Sequence, residues 1–168
     1  MTRVAVITCS DRAAHDVYED RSGPILRDAL AGLGFEVAEP VIVPDDREMI
    51  RGAVLAAQRD GARIICTTGG TGISPTDVTV EALRDLITQE IPGLMEEVRR
   101  LGAQKEPRAL LSRGIAGVME TEPRCVVINA PGSRGGARDT IDVIGPLLHH
   151  LVEQLDGADH DLDRPASG

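Results

Sequence analysis

Apolar and polar positions follow two periods along this chain. Val4 to Thr8 is a short apolar run, the pattern of a strand covered on both faces. Ser10 to Arg21 is polar and reads as a loop. From Pro24 onward Ile25, Leu26, Ala29, Leu30 and Leu33 recur at helical spacing, and Gly34 ends the run. Phe35 to Val43 predicts a second strand. Pro44-Asp45-Asp46 opens a second helix, with Ile50, Ala53, Val54 and Ala57 on one face and Gly61 as its stop. Arg63 to Thr67 predicts a third strand, followed by a glycine-rich loop and a helix from Pro75 or Thr76. Another helix begins near Pro92, with Leu94, Val98 and Leu101 inward. Ile115 to Met119 and Cys125 to Ile128 predict a hairpin around Glu122-Pro123. Ile141, Ile144, Leu148, Leu151 and Leu155 form the stripe of one last helix. Residues 158–168 are acidic and small, the composition of a flexible tail.

Strands alternating with helices predict a three-layer α/β/α fold with a mostly parallel sheet, formed by a single domain over residues 1–157. Ligands of such sheets bind beyond the carboxyl ends of the strands. Four loops qualify: Cys9 to Arg21, Pro44 to Asp46, Thr68 to Asp77 and Asn129 to Asp139.

Composition narrows the ligand class. The net charge of −9 argues against a nucleic-acid surface, and one Phe, one Tyr and no Trp leave little for bases to stack on. Cys9, Cys66 and Cys125 lie in or beside apolar runs without zinc spacing, so they read as buried thiols of a reducing compartment. No stretch reaches the ~20 apolar residues of a membrane span, and the start leads straight into a strand. The expected location is cytoplasmic, with no membrane partner.

The chemistry centres on TTGGTGISPTD, Thr67 to Asp77. Gly69, Gly70 and Gly72 permit positive φ and close approach of ligand oxygens, and Thr71 adds a hydroxyl. Successive N–H groups here can form an anion nest, with a helix N-terminus behind it. It is not a Walker loop, since no Gly-Lys-Ser/Thr follows and Lys105 is the only lysine. A plain strand-to-helix turn is the competing reading.

Asp77 admits two roles. Ser74-x-x-Asp77 has capping-box spacing, yet Asp77 also stands at the mouth of the loop. Asp45 is similar: Asp45-x-x-Glu48 fits a helix cap, and Asp45 also ends the second strand on the ligand rim. Two carboxylates beside a phosphate would repel it unless a cation intervenes, which favours Mg²⁺. In the fourth loop Pro131-Gly132 makes a turn, and Ser133 with neighbouring N–H groups could hold a further anion near Arg134 and Arg138. His149 and His150 read as surface or subunit-contact residues, and His15 is a weak rim candidate.

The segments TCSDR and YEDRSGP, then VPDD, TTGGTGISPTDVTVEA, IPGL, LSRG and NAPGS, together resemble the MogA/MoaB family of molybdenum-cofactor biosynthesis proteins. The resemblance runs from the first strand to the last helix. It implies a fold often assembled as a homotrimer and binding of molybdopterin, a phosphorylated pterin. MogA-like members are molybdopterin adenylyltransferases, which move AMP from Mg-ATP onto the terminal phosphate of molybdopterin. The product then receives molybdenum from an insertion protein. The acidic positions of active members correspond to Asp45 and Asp77, the expected catalytic and Mg²⁺-holding pair. Asp20 and Ser22 are expected to line the pocket, with Ser10, Glu81, Pro131, Gly132 and Ser133 as further contacts. Arg134 departs from relatives that continue with Pro. A non-catalytic MoaB-like pterin-binding protein, or a scaffold, is the alternative.

Overall fold

The computed structural model describes residues 1–157. The expected tail, 158–168, lies outside the described residues. In chain order the elements are β1 (Arg3–Cys9), α1 (Asp11–Ala14), α2 (Ser22–Gly32), β2 (Glu36–Val37), β3 (Val41–Val43), α3 (Arg47–Arg59), β4 (Ile64–Thr68), α4 (Thr79–Arg84), β5 (Gln89–Glu90) and α5 (Pro92–Ala103). A 3-10 turn at Pro107–Leu111 follows, then β6 (Ala116–Met119), β7 (Cys125–Ala130), α6 (Arg134–Ile144), a 3-10 turn at Gly145–Leu147, and α7 (Leu148–Leu155).

One seven-stranded sheet runs β2-β1-β4-β7-β6-β5, with β3 also paired to β1. The pairs β1–β2, β1–β3, β1–β4 and β4–β7 are parallel, whereas β6 is antiparallel to both β5 and β7. The period-2 geometry of a strand sends alternate side chains to opposite faces. Val4, Val6, Ile64, Cys66, Val126 and Ile128 accordingly pack with α2, α5, α6 and α7. Ile7, Cys9, Ile65, Cys125 and Val127 pack on the other face with α3 and α4. These are the three expected layers. Each fully buried Leu or Ile contributes about 1.5–3 kcal/mol, and Leu26, Leu30, Ile50, Leu83, Ile144 and Leu148 all lie fully buried on these helices.

Five details differ from the sequence-based expectation. The predicted strand Phe35–Val43 is two strands. Ala5 and Val6 of β1 face three residues, 38–40, so the register cannot be continuous, and Pro40 has no N–H to donate. The predicted last helix is interrupted at Gly145-Pro146, where proline cannot donate, although its apolar stripe continues into α7. The helix after the glycine loop starts at Thr79 rather than Pro75 or Thr76. The polar loop after β1 contains α1, capped by the Ser10 hydroxyl on the Ala13 N–H. Two-residue β5 and the 3-10 turn at Pro107–Leu111 carry too little periodicity to have been read. The hairpin at Glu122-Pro123 is present as β6–β7. Among the described residues no helix is long and apolar enough to cross a membrane.

Candidate functional site

Three adjacent central strands, β1, β4 and β7, end side by side, and their loops meet there. The join is made by hydrogen bonds. Gly69 N–H donates to Ala130 O at 3.0 Å. The Asn129 amide, fully buried, donates to Thr67 Oγ1 at 3.0 Å and to Gly69 O at 3.2 Å. Thr68 Oγ1 donates to Pro131 O at 3.0 Å. The glycine loop and the Pro131-Gly132-Ser133 turn therefore form one ridge.

Cavities flank this ridge. One, of about 410 Å³, is lined by Ser10, Asp20, Ser22, Asp45, Gly69, Gly70, Asp77, Gly132 and Ser133, together with Tyr18, Arg21 and Arg134. The other, about 470 Å³, is lined by Thr71, Gly72, Pro131, Gly132 and Ser133, with Arg99, Lys105, Arg108 and Asp139. Every expected site residue lines one or both, except Glu81. Glu81 instead pairs with Arg113, whose guanidinium pulls its carboxyl below the usual range against the opposing effect of burial.

The glycines have reasons internal to the chain. Gly69 and Gly70 have φ of +96° and +64°, which L side chains rarely adopt. A Cβ on Gly69 would lie 2.3 Å from Cys9 O, and one on Gly70 would lie 2.0 Å from Thr79 Oγ1. At Gly72 the neighbour is Asp77 Oδ2, at 2.6 Å. The chain's own close packing thus accounts for all three. The anion nest is also narrower than expected, because the Gly69 N–H is already engaged by Ala130 O. Gly70 forms no hydrogen bond within the described residues and lines the first cavity.

Asp45 does not cap α3; Asp46 does, accepting from Met49 N–H at 2.9 Å. Asp45 Oδ2 accepts from Asp11 N–H at 3.0 Å, and Asp45 N–H donates to Asp11 Oδ1 at 2.9 Å. Asp45 Oδ1 is buried without a partner among the described residues. Burial pushes this carboxyl up; the Asp11 N–H opposes the shift, and the charges of Asp11 and Asp77 add to it. Asp77 Oδ2 accepts from Ser74 N–H at 3.0 Å, half of the expected capping box, but in a turn that precedes α4 by two residues. The other half of the Asp77 ambiguity stands: it also faces the cavity beside Asp45.

The remaining polar groups are held in place. Asp20 accepts from Thr8 Oγ1 at 2.7 Å and from Gly23 N–H at 3.0 Å, so one oxygen ties it to β1 and the other braces the start of α2. Ser133 caps α6 on Gly136 N–H at 3.0 Å. The three cysteines are free and buried. Burial pushes the Cys9 thiol, beside the cavity, up to about 12, so it is not a nucleophile at neutral pH. His149 stacks on Phe35 with ring centroids 4.5 Å apart, a packing role.

Arg113 is a residue that periodicity could not single out. Its Nε donates to Gly72 O at 2.8 Å, Nη2 donates to Asp77 O at 3.1 Å, and Nη1 donates to Glu81. Its backbone N–H donates to Thr71 O at 2.8 Å. One guanidinium thereby fixes both ends of the segment from Gly72 to Asp77. Asp11 and Asn129 were missed as well. All three lie within the motifs TCSDR, LSRG and NAPGS, which gave the positions but not the roles.

The family model described as "Probable molybdopterin binding domain" matches residues 5–150. A molybdenum cofactor biosynthesis bifunctional protein of Synechococcus elongatus is 38% identical over 155 residues, covering 92% of this chain and 48% of the relative. A Pyrococcus furiosus protein named molybdopterin adenylyltransferase is 34% identical over 154 residues, covering 90% of this chain and 89% of the relative. The solved Mog protein of Mycobacterium ulcerans superposes with a TM-score of 0.84 at 38% identity, covering 92% of this chain and 99% of that one. The chain spans half or less of the length of the first three curated relatives it matches. On these matches the chain belongs to the molybdopterin-binding domain family, in its MogA/MoaB branch.

Proposed function

We propose that this chain, as one domain over residues 1–157, is a molybdopterin adenylyltransferase that moves AMP from Mg-ATP onto the terminal phosphate of molybdopterin. One observation carries the reading. Two carboxylates share a cavity with a glycine loop, and one of them, Asp45, keeps a buried oxygen without a partner among the described residues. A buried unpaired carboxylate oxygen is costly unless a ligand completes it. The Pyrococcus relative bears the name of this activity.

The donor set fits Mg²⁺. Among the described residues no cluster of three His, Cys, Asp or Glu forms a cage, and Mg²⁺ needs only one or two carboxylates besides water and substrate phosphates. Bound by Asp45 and Asp77, it would neutralise phosphate charge during transfer. The chain's own work is positioning. Backbone of Gly70 to Gly72 and the Thr71 side chain hold the pterin phosphate, while Ser10, Ser22 and Ser133 offer hydroxyls at the rim. Asp20 braces the α2 start against which the ligand sits. The terminal phosphate oxygen of molybdopterin attacks the α-phosphorus of ATP in line. A new P–O bond forms there as the bond to the β-phosphate bridge breaks, and pyrophosphate leaves with the electron pair. No covalent enzyme intermediate is required.

A homotrimer, a cytoplasmic location and delivery of product to a molybdenum-insertion protein complete the proposal. They are supported by the family resemblance and, for location, by three unpaired buried thiols. The test is pyrophosphate release from Mg-ATP with and without molybdopterin. Release that depends on molybdopterin supports the reading. Molybdopterin binding without release favours a binding or scaffold protein of the MoaB kind. The specific observation on that side is that the loop's glycines are all explained by internal packing.

A further inference from the structure

The cavity that holds Asp45 and Asp77 is lined mainly by Ser, Thr, Gly, Asp and Arg, with Cys9 and Ala13 as small apolar members. Its lining contains a single ring, Tyr18. Tyr18 is the only tyrosine of the chain, which has no tryptophan. It is 51% exposed, in the connection between α1 and α2, next to Val17 at 74%. Its backbone is anchored, with the N–H donating to Arg12 O at 3.2 Å, whereas its ring is covered by no part of the core. The Arg21 guanidinium sits over the ring, 5.7 Å from its centroid. Arg21 and Arg134 line the same cavity, and among its lining side chains they are the only cations.

A half-exposed aromatic ring at the edge of a cavity of about 410 Å³ contributes little to folding, because it buries little apolar area. It is explained by a ligand with two chemically distinct ends. Anionic oxygens suit the Gly70 backbone and the arginines, and a flat ring suits Tyr18. Tyrosine offers a large contact area with only two side-chain torsions to freeze. The Arg21 guanidinium over the ring favours this ring position before a ligand arrives, as cation–π pairs do.

We propose that Tyr18, steadied by Arg21, is a ring-stacking specificity residue that receives the planar heteroaromatic ring of a phosphorylated substrate. The inference rests on the transferase reading, which supplies two such rings, the adenine of ATP and the pterin. It adds a ring-discriminating contact to a site in which the glycine loop addresses phosphate directly and the carboxylates address it through Mg²⁺.

The chain carries its own probe, because tyrosine emission reports Tyr18 and no other residue. Emission is followed during titration with Mg-ATP, with inorganic triphosphate plus Mg²⁺ as the ringless control. Calorimetry then gives affinities for Mg-ATP, triphosphate and 6-hydroxymethylpterin in the wild type, Tyr18→Phe and Tyr18→Ala. The expected results are quenching by Mg-ATP but not by triphosphate, and a roughly five- to hundredfold weaker affinity in Tyr18→Ala for at least one ring ligand. Tyr18→Phe retains the wild-type affinity, and triphosphate binds all three proteins equally. The arm that weakens identifies the ring as adenine or pterin. Unchanged affinity of Tyr18→Ala for both ring ligands overturns the stacking role and leaves the transferase reading intact. Equal weakening of triphosphate also overturns it, because the residue then acts through the loop. If neither ring ligand binds the wild type, the transferase reading falls and this inference falls with it.

Discussion

Asp11 and Asp45 hold each other by reciprocal hydrogen bonds, each carboxylate accepting the other's backbone N–H, at 2.9 and 3.0 Å. The exchange fastens the start of α1 to the end of β3 and leaves Asp45 Oδ1 buried and free for a ligand. It also brings two like charges together, which strains the site in the absence of a cation.

The first prediction follows from that strain. The folded Asp45 carboxyl lies above its ordinary 3.8 through burial and the charges of Asp11 and Asp77. A raised carboxyl contributes stability below the unfolded value and loses it as pH rises through the folded value. At neutral pH the charge is therefore a net cost. Asp45→Asn should keep an acceptor for the Asp11 N–H and raise Tm at pH 7, by a small amount because solvent screens this partly exposed carboxyl. The gain should vanish near pH 3. Pyrophosphate release should fall about 100-fold or more. A lower Tm at pH 7 would count against the account of Asp45.

Asp77→Asn separates capping from chemistry. The amide oxygen can still accept from Ser74 N–H, so the fold and pterin binding should persist. Adenylyl transfer should drop by about 10²–10³-fold. Equal turnover in the variant and wild type would remove Asp77 from the mechanism.

Glu81 and Arg113 bear on acid stability. Arg113 holds the folded Glu81 carboxyl below its ordinary 4.5. That contribution is present above 4.5 and is lost as pH falls through the lowered folded value. Both side chains are about one-third exposed, 33% and 34%, so solvent screening limits the pair to about 1 kcal/mol. Glu81→Gln should be less stable by up to that amount at pH 7, with the difference closing below pH 4.5. Parallel denaturation curves at pH 7 and pH 3.5 check it. A constant difference would show that charge is not the cause.

Two alanine substitutions, one on the ridge and one in α6, should act in opposite directions. Gly70→Ala forces a Cβ to 2.0 Å from Thr79 Oγ1 at a φ of +64°, and should cost about 2–3 kcal/mol. Gly135→Ala, inside α6 with nothing within 4 Å of its Cβ, should stabilise by about 0.5–1 kcal/mol. Urea midpoints of the two variants and the wild type decide both.

Much of this was legible in the chain. Val4–Thr8 and Arg63–Thr67 announced central strands because strands buried on both faces are apolar throughout. The loops at their ends announced the site. What escaped was set by single groups rather than by period. Pro40 and Pro146 break elements whose apolar pattern runs on past them. The choice of Asp46 over Asp45 as the α3 cap turns on one carboxylate's orientation. The Glu81–Arg113 pair joins residues 32 apart in sequence, a distance at which no local signal reports contact. Likewise the glycines signalled tight geometry correctly, but spacing could not distinguish an approaching ligand from the carbonyl of Cys9.

The tie between Asn129 and the loop after β4 has a thermodynamic reach. The site hangs from β1, β4 and β7, the innermost strands, so a ligand gripped there cannot be released by fraying of an edge. Saturation with a true ligand should then lift the whole melting transition, by about 2.7 kcal/mol at a hundred times Kd, and a thermal shift screen would rank ligands by affinity without knowledge of the reaction.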